Sequence, residues 1–63
     1  MENGNKQKFL KIYANLPINL RQEIILVIED RGPITWDVAF FEVDNDTELS
    51  KKILAKLERL EII

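Results

Sequence analysis

From Lys6 to Leu16 the apolar residues Phe9, Ile12, Tyr13 and Leu16 recur at i, i+3, i+4 and i+7. That is the spacing of one helical face, and it predicts a short first helix. Pro17 disfavours helical geometry at Leu16, and Asn19 with Gln22 three residues on has the spacing of a capping box. A second helix is therefore expected from about 19 to 30, with Leu20, Ile24, Val27 and Ile28 on its core face. Leu26 falls off that face, which makes it a candidate for contact with the first helix or with a partner. Asp30-Arg31-Gly32-Pro33 ends the element, because glycine supplies a helix terminus and proline cannot continue one.

The next segment, 34–43, supports two patterns. Ile34, Trp36, Val38 and Phe40 alternate with Thr35, Asp37 and Ala39, and these apolar types favour strands. A hairpin of 24–29 with 34–41 is thus one alternative. Thr35 also reads as the N-cap of a short helix, with Ile34, Val38 and Phe41 on one side and Trp36, Phe40 and Val43 on the other. The segment is expected to be this helix, buried on two sides as a middle helix is. Asp44-Asn45-Asp46-Thr47 forms a turn, and Asn45 with Glu48 gives a capping box. Leu49, Ile53, Leu57 and Leu60, with Leu54 beside them, then mark an amphipathic helix from 46 to about 61. The expected fold is all-α or nearly so, a small three- to four-helix bundle with a helix-turn-helix-like core, the alternative being a β-hairpin plus a C-terminal helix. Residues 1–5 are expected to be a frayed polar tail, and 6–63 one domain.

Composition narrows how such a chain holds together. At 63 residues it buries only about 60% of the surface that its unfolded form exposes. There is no cysteine or histidine, which removes disulfides and the usual zinc ligand sets. Stability must come from a dense apolar core, for which 46% hydrophobic content suffices, or from association with a second copy. The formal net charge of -2 argues against a general nucleic-acid coat, whose affinity comes from neutralised phosphates. The sequence MENGNKQKF has no apolar stretch of signal-peptide length, and no run nears the roughly 18 apolar residues of a membrane span. A cytoplasmic location without membrane contact is expected.

The stretch Gly32-Pro33-Ile34-Thr35-Trp36-Asp37 through Ile53-Leu54-Ala55-Lys56-Leu57-Glu58-Arg59-Leu60-Glu61-Ile62-Ile63 resembles the helix-turn-helix core of winged-helix transcription regulators. In that superfamily a glycine ends one helix, a short extended Gly-Pro-hydrophobic-Thr segment leads into the second, and the recognition helix closes on a glycine and two hydrophobic residues. The resemblance implies a regulator that reads double-stranded DNA with the helix at 46–61. The chain departs from the pattern in three places. Its second helix reads Val38-Ala39-Phe40-Phe41-Glu42-Val43, with Asp44 where glycine is usual; Glu61 replaces the closing glycine; and Ile63 is reached where a wing hairpin would begin.

In such a protein the start of the recognition helix enters the major groove, so Thr47, Ser50, Lys51 and Lys52 are the candidate nucleic-acid contacts. The same helix carries Ala55, Lys56 and Arg59 outward, and Lys6, Lys8 and Lys11 lie on or near the first helix. Glu48 and Lys52 are also spaced for an intrahelical pair, and Asp44, Asp46 and Glu48 would repel phosphates. A solvated charged face is therefore the weightier interpretation. Trp36 with Phe40 and Phe41 is either core or a partner-binding patch, with the core the expected home in a chain holding one tryptophan. Asp37, Glu42, Asp44 and Asp46 are the clustered carboxylates, but a calcium loop counted from Asp44 meets Leu49 and Ala55 where glycine and glutamate are needed. With no histidine or cysteine, a nucleophile-and-base pair would fall to Ser50 or lysines on an open helix. The expectation is a non-enzymatic binding domain with no catalytic residue, metal or cofactor. Its partner would be another protein or a second copy, met through Leu26, Trp36 and Phe40, with double-stranded DNA as the alternative.

Overall fold

The computed structural model describes residues 4–63, in which α1 (Gly4–Ala14) is followed by a single 3-10 turn (Ile18–Leu20). An antiparallel hairpin of β1 (Ile24–Ile28) and β2 (Gly32–Thr35) comes next, and then α2 (Trp36–Asp44) and α3 (Glu48–Arg59). The expected all-α bundle is thus corrected to a mixed fold of hairpin and helices. Of the expected frayed tail, residues 1–3 lie outside the described residues, while Gly4 and Asn5 belong to the first turn of α1.

The expected helix at 19–30 fails for a local reason. Ile24, Ile25, Val27 and Ile28 are β-branched, and such side chains sit better on a pleated surface than against a helical turn. The Arg31 N–H donates to the Ile28 carbonyl at 2.9 Å, closing a turn, and Gly32 follows at φ 89°, a left-handed conformation that glycine reaches without a Cβ penalty. Glycine therefore reverses the chain here instead of ending a helix.

The hairpin register contains a bulge that decides which residues are inside. Ile24 pairs with Thr35 and Leu26 with Ile34, so Ile25 is the extra residue. In a regular strand Ile24, Leu26 and Ile28 would share one face. The extra residue sends Ile24 to the outer face with Thr35, while Leu26, Ile28 and Ile34 stay inward and buried. Leu26, expected off the core, is 6% exposed, and Leu20, Ile24 and Val27, expected inside it, are exposed. Val27 lies opposite Pro33, and its carbonyl accepts from Lys56 Nζ of α3 at 2.9 Å.

Only Ile34 and Thr35 of the segment 34–43 are strand, because Thr35 switches the backbone to helix. Its hydroxyl accepts from the Val38 N–H at 3.1 Å, the expected cap. The free amides at the start of α2 are met by the preceding loop: Trp36 N–H donates to the Glu23 carbonyl at 3.2 Å, and Asp37 N–H to the Arg21 carbonyl at 2.9 Å. The hairpin and the helix thus coexist, one ending where the other starts.

At the α2–α3 junction Asn45 closes α2, with its Nδ2 donating to the Phe41 carbonyl at 2.7 Å. The capping box expected at Asn45 and Glu48 is absent, since Thr47 caps α3 by accepting from the Ser50 N–H at 3.1 Å. Asp46 at φ 53° ends one helix before the next begins, so α3 cannot start at 46. Leu49, Ile53 and Leu57 are buried as their spacing predicts, whereas Leu60 lies beyond the last turn and is exposed. They meet Phe9 of α1, Leu26, Ile28 and Ile34 of the hairpin, and Ala39 and Val43 of α2 in one core.

Candidate interaction surface

Two of the aromatic interaction candidates belong to the seam between α1 and α2. Trp36 stacks on Phe9 with ring centroids 5.8 Å apart, and Phe40 on Tyr13 at 4.3 Å with the rings within 10° of parallel. The Arg21 guanidinium sits 4.4 Å from the Tyr13 ring centroid and donates to the Tyr13 carbonyl at 3.2 Å, a cation–π contact that holds the loop before the hairpin. Among the described residues Arg21 Nε is buried without a hydrogen-bond partner. The Tyr13 hydroxyl donates to Asp37 Oδ1, and that hydrogen bond, followed by desolvation and the neighbouring negative charge, raises the Tyr13 pKa above the ordinary phenol value, with Arg21 opposing. Trp36 and Phe40 are consequently half-buried packing residues, and Leu26 is core. The three residues named from the sequence do not form an exposed patch.

The four candidate DNA contacts at the start of α3 are largely occupied. Thr47 Oγ1 accepts the capping bond from Ser50 and donates to the Glu42 carboxylate. Ser50 is 3% exposed, and its hydroxyl donates to the Thr47 carbonyl. Lys51 pairs with Glu48 at 3.2 Å, and Lys52 lies 3.6 Å from Asp30 on the hairpin turn. The two lysines remain exposed and the pairs are weakly held, but the two hydroxyls are committed to the helix junction.

Large apolar side chains are exposed elsewhere. Phe41 is 62%, Ile24 59%, Val27 54% and Val38 42% exposed. Val27 and Ile24 lie on the outer face of β1, and Val38 and Phe41, three residues apart, share one face of α2; Ile18 of the 3-10 turn is also exposed, at 79%. Scattered exposed apolar residues are ordinary, so the pair on one helical face, with an aromatic ring in it, is the stronger signal of a contact surface. Val38 and Phe41 share one side of α2 as their spacing predicts, but the burial expected of that side is corrected: both are exposed, opposite the buried Ala39 and Val43. Ile24 reaches the outer face of β1 only through the bulge.

A concavity of 670 Å³ lies between the hairpin turn and α3, lined by Ile28, Glu29, Asp30, Lys52, Ala55, Lys56 and Arg59. It is wide open and its charges are mixed, with Lys52 and Lys56 already directed to Asp30 and the Val27 carbonyl. Among the described residues no group of acidic side chains is placed to hold a metal ion, and no helix is long and apolar enough to cross a membrane. In comparisons with known proteins the chain matches no family model, no curated protein and no solved structure.

Proposed function

We propose that this domain is a non-enzymatic binding module that recognises another protein through the outer face of the hairpin and the exposed side of α2. The observation that carries this reading is Phe41. A phenylalanine 62% exposed, on a helix whose opposite face is already packed, holds apolar area in water that burial against a partner would stabilise by about 25 cal/mol per Å². Aromatic residues in such positions are frequent anchors of protein interfaces.

The support for duplex binding is weaker on this geometry. The α3 N-terminus carries Asp46 and Glu48 at the point where phosphates would approach, and the hydroxyls of Thr47 and Ser50 are spent within the chain. Addition of a partner strand to the hairpin is also disfavoured, because Pro33 lacks an N–H and Lys56 covers the Val27 carbonyl.

Duplex binding measured over a salt series, alongside sedimentation at several protein concentrations, tests this reading. The expected result is negligible duplex affinity at about 0.15 M salt, with any self-association abolished in Phe41→Ser. Duplex affinity below micromolar Kd at that salt, with a log–log salt slope that falls by about 0.9 for each phosphate contact removed in Lys51→Ala or Lys52→Ala, would overturn it.

A further inference from the structure

Resting on that reading, we propose that the occupant of the Val38–Phe41 face is a cationic amphipathic segment of a partner protein, an extended or helical stretch with lysine or arginine on either side of apolar anchors. The inference comes from the charge that surrounds the exposed apolar strip. Between Arg31 and Lys51 the chain contains no lysine or arginine, but it contains Asp37, Glu42, Asp44, Asp46 and Glu48. Within α2, Asp37 stands one turn before Phe41 and Asp44 one turn after it, so an exposed phenylalanine is bracketed by exposed carboxylates.

These carboxylates are not equally engaged. Lys6 lies 2.8 Å from Asp46, Lys51 pairs with Glu48, and Glu42 accepts from Thr47. Among the described residues Asp37 accepts the Tyr13 hydroxyl, and neither Asp37 nor Asp44 has an ion pair. Arg21, whose carbonyl accepts from the Asp37 N–H, has its guanidinium held on the Tyr13 ring and carbonyl. The face is therefore apolar at its centre and negative at both ends, complementary to an apolar segment with positive flanks. An arginine of the partner could also rest on the exposed Phe41 ring.

The same charges weigh against the other occupants. A second copy placed face to face would set Asp37 and Asp44 against their own counterparts, and like charges across an interface oppose association. Duplex DNA and anionic lipid would be repelled for the same reason. A cationic segment gains where these lose.

The test uses isotope-labelled full chain and three synthetic peptides: one amphipathic with leucine on one face and lysine on the other, one with every lysine replaced by glutamate, and one in which serine replaces the leucines. The lysine–leucine peptide is expected to bind, with amide shift changes centred on Val38, Phe41 and Asp44, and with affinity falling as salt shortens the Debye length. Phe41→Ser, at an exposed position that leaves the core intact, should weaken binding at least about tenfold, as loss of an interface anchor does. Asp44→Asn should reduce affinity and flatten its salt dependence. Either control peptide binding as well as the lysine–leucine peptide, or shift changes centred away from α2, would overturn the proposal. If no peptide binds but sedimentation shows a wild-type dimer that Phe41→Ser dissociates, the cationic partner fails while the interaction reading stands. If no peptide binds and the protein is monomeric, with its amides unmoved, both fail.

Discussion

The Tyr13 hydroxyl donates a 2.6 Å hydrogen bond to the Asp37 carboxylate, joining the last turn of α1 to the first turn of α2. The bond needs the proton on Tyr13. Because the folded-state pKa is raised above the unfolded value, the contribution is fully present below the ordinary tyrosine pKa and is lost as pH rises through the raised one. Tyr13 is the single tyrosine of the chain, so tyrosinate absorbance reads it alone. The expected midpoint lies above that of the unfolded chain and moves down in Asp37→Asn, whose neutral amide removes the charge and weakens the acceptor. A midpoint unchanged by that substitution would show that the bond does not form in solution.

Leu57 is fully buried and lies where α3 meets the rest of the core. Leu57→Ala should destabilise the fold by about 2–5 kcal/mol, the range for deleting a buried leucine side chain. In a domain of this size that is a large part of the total stability. A thermal melt followed by circular dichroism should show a lower midpoint or no folded baseline, and an unchanged melt would mean that the α3 face is wrongly assigned.

How far the fold could be read from residues depends on the range of the interactions that set it. The face of α3 is a repeated signal, and Leu49, Ile53 and Leu57 are buried as their spacing predicts; of the expected α1 face Phe9 is buried and Tyr13 packs against the core, while Ile12 does not join it and Leu16 lies past the end of the helix at Ala14. Ile24–Ile28 carries no such repeat, because five consecutive apolar residues fit a buried helix and a strand equally well. What decides between them is the pairing with Gly32–Thr35 and the turn at Gly32. The candidate site was harder still. Leu26 and Ile24 exchange inside and outside through one bulged residue, and a one-residue shift of strand register is invisible in composition. Their spacing puts Val38 and Phe41 on one face of the helix, and their apolar character predicts that face buried; that it meets solvent instead follows from α1 and α3 packing against the other side.

Thr35 and Thr47 cap α2 and α3 in the same way, each accepting at 3.1 Å from the amide three residues on. Thr35→Ala should cost about 1 kcal/mol, the usual loss of an N-cap hydroxyl. Thr47→Ala should cost more, because its hydroxyl also donates to Glu42 and its loss leaves that half-buried carboxylate without the donor. Urea melts of the two variants should place Thr47→Ala at the lower midpoint. The reverse order would mean that the Glu42 contact adds nothing.

Glu61 follows the last turn of α3 at the position where glycine most often closes a helix, and its backbone is left-handed at φ 62°. The bonds around it form a Schellman closure: Ile62 N–H donates to the Leu57 carbonyl at 2.9 Å, and Glu61 N–H to the Glu58 carbonyl at 3.0 Å. The end of α2 repeats the arrangement around Asp46 at φ 53°, with Thr47 N–H donating to the Glu42 carbonyl and Asp46 N–H to the Val43 carbonyl. A left-handed residue with a Cβ costs roughly 1–2 kcal/mol, less for aspartate, whose short side chain tolerates the region. Glycine removes that strain but loses more chain entropy on folding. Glu61→Gly should therefore stabilise the domain by a net of about 0.5–1 kcal/mol, raising Tm by several degrees in a chain of this size. Asp46→Gly should gain less, both because aspartate is the better left-handed residue and because the contact with Lys6 is lost. Melting the two variants beside the wild type tests the ranking. A destabilised Glu61→Gly would show that the C-terminal closure is not populated in solution, since glycine would then bring only its entropic cost.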